Sequence, residues 1–332
     1  MSTGRPQPDA VGTVTVVGTG VIGGGWVAHF LRRGYDVVAW DPGTDARTRL
    51  SGLLDTAWPS LERLGLAPGA DLDRLRWADT LEGALADTDF VQESSPEVLD
   101  AKVVLLAEID RLTRPEVVVA SSTSGLLMTD MAVKCDDPGR FLVGHPFNPP
   151  YLIPLVEVVG GEKTDPDTVA WAEAFYTAAG KTALTMEKEV PGFVGNRLQE
   201  ALWREALHMV DSGQATVQQI DDSIAFGPGL RWAIMGPMLT FHLAGGPGGM
   251  GHMLDHFGPA LLEPWTRLEA PRLTSELRDR VVAGAADAAN GRTVPELERK
   301  RDAFLVDLLL LLERHRRADD PAGDPADDPA DE

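Results

Sequence analysis

The pattern of apolar and polar positions falls into two regimes that meet near residue 189. The first alternates short apolar runs with helical stretches. The β-branched run T-V-T-V-V at 13–17 reads as a buried strand. Residues 18–25 read as a glycine-rich turn and 26–33 as a helix. A second strand is predicted at 37–40, ending at Asp41. Further apolar runs stand at 90–91, 117–120, 141–143 and 155–159. Helical patterns fall at 46–66, 97–112 and 125–133, and another at 166–179 is closed by Gly180. Strands alternating with helices imply a parallel, doubly wound sheet.

The second regime opens at Pro191, whose missing N–H suits a helix start. Its periodicity predicts helices at 193–212, 217–226, 231–244, 275–289 and 294–317. The expected organisation is a flexible lead-in at 1–10, an α/β domain at 11–189, an all-helical domain at 190–317 and a tail at 318–332. No internal repeat is evident.

Composition refines this picture. The tail repeats Asp, Pro and Ala, carries seven carboxylates in 15 residues and has no apolar anchor, so it is expected to be disordered. A net charge of −21 disfavours nucleic acid and anionic membrane surfaces as partners. The run at 305–312, broken by Asp307, is too short to span a bilayer. No basic flank and apolar core mark a secretory signal. The single Cys135 excludes an internal disulfide and suits a reducing cytoplasm.

The chemistry begins at G-T-G-V-I-G, residues 18–23. A G-x-G-x-x-G that follows a strand and opens a helix is a dinucleotide-binding turn, and the sheet is of Rossmann type. Gly18 permits the tight turn, Gly20 lets backbone approach a pyrophosphate at the helix N-terminus, and Gly23 lets helix and strand pack closely. Thr19, Val21 and Ile22 lie between them. Asp41 is placed to accept hydrogen bonds from the adenine ribose and to repel a 2′-phosphate, which favours NAD over NADP. No metal is expected.

His145 sits in H-P-F-N-P, in the loop after a strand, where such sheets place their ligands. Glu157 interrupts the run L-I-P-L-V-E-V-V, where a carboxylate is costly unless paired. Either it pairs with His145, fixing the imidazole as a general base, or it faces outward from an edge strand. Ser121, Ser122, Thr123 and Ser124 follow the strand at 117–120; they bind a substrate oxygen or cap the next helix. Asn196, in P-G-F-V-G-N-R, offers an amide to a substrate hydroxyl or makes a local polar contact.

These motifs together resemble the 3-hydroxyacyl-CoA dehydrogenase family over residues 12–317. The family's H-x-F-N-P, its Glu 12 residues later, its Ser 21 residues earlier and its P-G-F-x-x-N-R fall on His145, Glu157, Ser124 and Asn196. The resemblance implies His145 as general base, Glu157 as its orienting partner, and Ser124 and Asn196 as hydrogen-bond partners of the reacting oxygen. It implies a cofactor-side role for Glu97 and Lys102 in S-P-E-V-L-D-A-K, a pocket drawing on Phe147, Gly192, Val194, Gly195, Trp232 and Phe257, and a homodimer. Pro150 and Gly195 depart from the residues usual in the family.

Residues 43–76 contain no Lys, and their five Arg are matched by five carboxylates, which disfavours the phosphates of CoA. Segments such as V-V-A-W-D-P and G-L-R-W-A-I-M-G-P-M-L-T-F-H-L-A-G-G are similar to family members acting on a small 3-hydroxy acid with a quaternary ammonium. Such a substrate asks for aromatic faces, with Phe147, Phe193, Trp232, Phe241 and Phe257 as candidates. Its carboxylate asks for Arg197, Arg204 or Arg231. A sugar acid such as L-gulonate, a hydroxyacyl-CoA, or a non-catalytic, NAD-binding crystallin-like role stand as alternatives.

Overall fold

The computed structural model describes residues 4–257, 266 and 269–319. The acidic tail lies outside the described residues from residue 320 onward. Contacts divide the chain into two compact units, residues 1–194 with 302–310, and residues 195–301 with 311–332.

The first unit is built on one eight-stranded sheet, β1 (Thr13–Val17), β2 (Asp36–Trp40), β3 (Leu75–Trp77), β4 (Phe90–Glu93), β5 (Val118–Ser121), β6 (Phe141–Pro146), β7 (Leu155–Gly160) and β8 (Thr182–Met186). Their spatial order is β3-β2-β1-β4-β5-β6-β7-β8. Strands β1 to β6 are mutually parallel, as the alternation predicts. Strand β7 runs antiparallel to β6, and β8 follows β7 in parallel, so the last two strands reverse the expected direction. Only eight residues separate β6 from β7, too few for the crossover that a parallel neighbour needs.

Helices α1 (Val21–Arg32), α2 (Ala46–Arg63) and α6 (Pro166–Ala178) cover one face of the sheet, over a core of Trp26, Phe30, Leu50, Leu61, Phe175 and Tyr176. Helices α3 (Leu81–Leu85), α4 (Leu99–Leu112) and α5 (Met128–Met131) cover the other, with Leu85, Leu106, Ile109 and Met131. The strands alternate between the two cores; Val118 and Ala120 meet the first and Val119 the second. The segment 302–310 joins the first core through Val306. There Tyr151 donates to Asp302 at 2.5 Å and Arg63 pairs with Asp307 at 2.6 Å. The lead-in is tied down rather than loose: Arg5 donates to the Glu116 carbonyl at 3.2 Å, and Trp171 donates to the Pro6 carbonyl at 2.8 Å.

The second unit contains α7 (Gly195–Asp211), α8 (Val217–Ala225), α9 (Gly229–Trp232), α10 (Pro237–Ala244), α11 (Gly249–Phe257) and α12 (Ser275–Ala289). Helix α13 (Val294–Asp319) contributes to both units. Thr216 opens α8 with a capping box closed by Gln219. The single helix expected at 231–244 is two, because Pro237 cannot continue an incoming helix and starts α10 instead. No helix among the described residues is long and apolar enough to cross a membrane.

Candidate active site

The glycine-rich turn is shorter than expected. Helix α1 begins at Val21, because Gly23 and Gly24 are helical residues chosen for contact. A Cβ on Gly23 would stand 1.8 Å from the Gly18 carbonyl oxygen, and one on Gly24 would stand 2.8 Å from Leu53. Gly18 has φ +87° and lies against the Ser94 backbone, 2.7 Å from where its Cβ would be. At Gly20 a Cβ would meet nothing within 4 Å, and no side chain caps the helix there. The turn therefore presents an open helix N-terminus, the arrangement that receives a pyrophosphate. Thr19 is buried and Val21 is exposed, and Ile22 packs into the first core. The Asp41 carboxylate accepts from the amides of Thr19 and Gly43, both at 2.8 Å, which fixes it beside the turn.

The ends of β4 and β5 carry a second polar group. Lys102 is buried and donates to both oxygens of Glu93, at 2.8 and 2.9 Å, and to the Ser95 carbonyl at 3.1 Å. Ser121 donates to Glu93 at 2.5 Å. Glu97 accepts from Thr123 Oγ1 at 2.6 Å, the Ser124 amide at 2.8 Å, Ser124 Oγ at 3.2 Å and the Gly125 amide at 3.2 Å. The hydroxyls of Ser121, Thr123 and Ser124 are thus held by two carboxylates. The expected helix cap is not made by Ser124, since α5 starts only after Leu127. Ser122 joins Trp26 Nε1, Gln92 and Ser94, at 3.2, 2.8 and 2.8 Å.

His145 and Glu157 are cross-strand partners in the antiparallel pair β6–β7. Nδ1 of His145 lies 2.9 Å from Glu157 Oε2, and the Val194 amide donates to Oε1 at 2.9 Å. Both side chains are buried, so Glu157 is the paired carboxylate and not an outward-facing one. Phe147 meets the imidazole edge-on with ring centres 5.0 Å apart, and Phe193 lies 5.5 Å from it. Phe193 has φ +52° and is wholly buried, which makes it packing for the base. Gly192, with φ +71°, and the half-exposed Val194 flank it. Gly195 and Asn196 start α7, in the second unit. Trp232 and Phe241 are exposed there, and the side chain of Phe257 lies outside the described residues.

Residues 13–190 match the family 3-hydroxyacyl-CoA dehydrogenase, NAD binding domain, and residues 192–286 match its C-terminal domain. The chain belongs to the 3-hydroxyacyl-CoA dehydrogenase family. Its curated relatives include the L-carnitine dehydrogenases of Nocardiopsis dassonvillei, 63% identical over 95% of this chain and 96% of that one, and Streptomyces coelicolor, 65% identical over 91% and 95%. That of Pseudomonas aeruginosa is 52% identical over 90% and 92%. Among solved structures, an NAD-dependent dismutase, 5-formyl-3-hydroxy-2-methylpyridine 4-carboxylic acid 5-dehydrogenase, is similar with TM-score 0.79 and 29% identity over 91% of this chain and 99% of that one. The (S)-3-hydroxybutyryl-CoA dehydrogenase of Ralstonia eutropha follows with TM-score 0.62 and 28% identity over 83% and 95%.

The family's first domain binds NAD, and the turn at 18–23 with Asp41 fits that cofactor. The residues that sequence reasoning missed are Glu93, Gln92 and Lys181. A polar pair inside F-V-Q-E carries the same signal that exposed Glu157, a charge in an apolar run.

Proposed function

We propose that the chain is an NAD-dependent L-carnitine 3-dehydrogenase, converting the C3 hydroxyl of L-carnitine to the ketone of 3-dehydrocarnitine. The reading is carried by the buried His145–Glu157 pair on a chain 63 and 65% identical to proteins named L-carnitine dehydrogenase.

NAD, when bound, supplies the acceptor for the hydride that leaves C3. Gly18, Thr19, Gly20, Val21, Ile22 and Gly23 would hold its pyrophosphate, and Asp41 would accept from its adenine ribose. Lys102 serves this side indirectly, by fixing Glu93 and Ser95, and Glu97 shapes the loop that carries Ser124. His145 takes the hydroxyl proton at Nε2, because Nδ1 is engaged by Glu157. The imidazolium so formed is stabilised by the Glu157 carboxylate, whose second oxygen the Val194 amide restrains. Ser124 is the first unit's hydrogen-bond partner for the reacting oxygen as the C–O bond becomes a carbonyl.

The trimethylammonium calls for an aromatic face, and Phe147, packed edge-on against His145, offers one in the first unit. Arg204 takes the substrate carboxylate; its Nε is buried and has no hydrogen-bond partner among the described residues. The enzyme is a homodimer: Phe226, Leu230, Ile234 and Met238 are all more than 60% exposed within the second unit, an apolar surface that a second copy covers. It works in the cytoplasm, where its one thiol, Cys135, pushed up to about 12 mainly by burial, stays reduced and inert.

Steady-state NADH formation with L-carnitine, L-gulonate and 3-hydroxybutyryl-CoA in parallel tests the reading. L-Carnitine is expected to give the highest kcat/KM. A best rate with the CoA ester overturns the substrate and leaves the family intact.

A further inference from the structure

Lys181 is a buried cation with no part in the site as described. It follows Gly180, whose φ of +80° ends α6, and it precedes β8. Only 6% exposed, it donates from Nζ to the carbonyls of Pro150 and, at 3.1 Å, Ile153. The ammonium also stands 4.9 Å from the centre of the Trp26 ring. Burial, with Arg32 adding to it, pushes the group down to about 7, and no carboxylate among the described residues offsets this.

A buried charge without a counter-charge is expensive, and a methionine of similar length would avoid the expense. The carbonyls account for the lysine. Residues 149–153 form a turn in which the amides of Leu152 and Ile153 both donate to the Pro149 carbonyl, each at 3.0 Å. Lys181 supplies the donors for Pro150 and Ile153. This turn joins β6, which carries His145, to β7, which carries Glu157. Its Pro150 also rests on Gly25 of α1, where a Cβ would stand 2.6 Å from the proline ring. One ammonium therefore touches Trp26 of the helix that opens from the dinucleotide turn and, at the same time, the loop behind the histidine.

We propose that Lys181 is a positioning residue: by holding the 149–153 turn against α1, it sets where the His145–Glu157 pair stands relative to the dinucleotide turn. This rests on the reading of His145 as the base.

The test compares Lys181→Met, which removes the donors, with Lys181→Gln, which keeps one for a carbonyl. Lys181→Met is expected to lower kcat by about 10-fold or more, the scale of a displaced reacting group, while NADH affinity by fluorescence titration changes less than about 2-fold. Lys181→Gln recovers part of the loss. The low-field proton resonance of the His145–Glu157 hydrogen bond, assigned by its disappearance in His145→Gln, shifts in Lys181→Met and moves back toward wild type in Lys181→Gln. That signal needs no substrate, so it separates failure of the positioning role from failure of the L-carnitine reading. A folded Lys181→Met with wild-type kcat or an unmoved resonance overturns the proposal. So does a parallel loss of kcat and NADH affinity, which marks a general structural role. Should Lys181→Met not fold, Lys181→Gln decides alone: a shifted resonance with reduced kcat supports the role, and an unmoved one removes it.

Discussion

Glu93 and Lys102 form an ion pair from which solvent is almost wholly excluded, with the ammonium 2.8 Å from the nearer carboxylate oxygen. Ser121 and the Ser95 amide complete the carboxylate's contacts at 2.5 and 2.6 Å. The pair locks the C-terminal end of β4 to α4, beside the glycine turn.

Removing one partner strands the other. Lys102→Met is expected to destabilise the protein by roughly 3–5 kcal/mol, the usual result of an uncompensated buried charge. The double variant Glu93→Gln with Lys102→Met should recover more than half of that. Urea denaturation of the three proteins checks it; a double variant no better than the single would show that the loss comes from packing.

Asp41 should set the cofactor preference. Wild type is expected to use NAD far better than NADP. Asp41→Ser should narrow the ratio of kcat/KM values by removing the repulsion of a 2′-phosphate. Because Asp41 also takes the amides of Thr19 and Gly43, the variant should lose some NAD affinity as well. Equal use of both cofactors by wild type would refute the ribose role.

The base pair predicts a graded loss. His145→Ala should lower kcat by about 10²–10⁴-fold with NADH binding retained, the range for loss of a general base. Glu157→Gln keeps the shape and one hydrogen bond but removes the counter-charge. It should lower kcat less and move the acidic limb of the pH–rate profile to lower pH, because an imidazolium without its counter-charge gives up its proton more readily. Full activity of either variant at neutral pH would remove that residue from the chemistry.

Substrate handedness and charge should both register. D-Carnitine is expected to be inert, since it cannot direct its C3 hydrogen to the nicotinamide and its hydroxyl to His145 together. Replacing the trimethylammonium by tert-butyl should reduce kcat/KM by ~10-fold or more, through loss of cation–π attraction. Arg204→Met should raise KM for L-carnitine with little change in kcat.

Lys181 gives stability a pH dependence of definite sign. Its folded pKa of about 7 lies below the ordinary lysine value of 10.5, so between these limits the unfolded chain holds a proton that the folded one lacks. This contribution makes stability rise with pH over that window, by at most about 1.4 kcal/mol per pH unit, and is flat below it. The charged and titratable groups facing it are Arg32 and His29, both from α1; His29 is itself held well below its usual range, first by burial. Thermal melts at pH 7 and 9 should differ less in Lys181→Met than in wild type once other titrations are matched.

Much of this was legible because it was local. Strand β1, the glycine turn and the Asp41 that ends the next strand lie within 29 residues, and each has a steric or charge signature. Glu157 betrayed itself as a charge in an apolar run. Glu93 carried the same signature, but its strand was read as two residues, so the charge fell outside it. Strand β8, T-A-L-T-M, was missed because an edge strand half open to solvent has no apolar run to show. The start of α1 was misplaced because three consecutive glycines read as a turn, whereas contacts with Gly18, Leu53 and Pro150 select them inside a helix. Lys181 gave no signal at all, since its role depends on carbonyls some 30 residues away.

The return of residues 302–310 to the sheet unit bears on the order of assembly. Tyr151 and Arg63 meet Asp302 and Asp307 there, and Val306 joins the core of the sheet unit. During synthesis the N-terminal unit therefore cannot close its core as it emerges. It waits, partly finished, until more than a hundred further residues have left the ribosome.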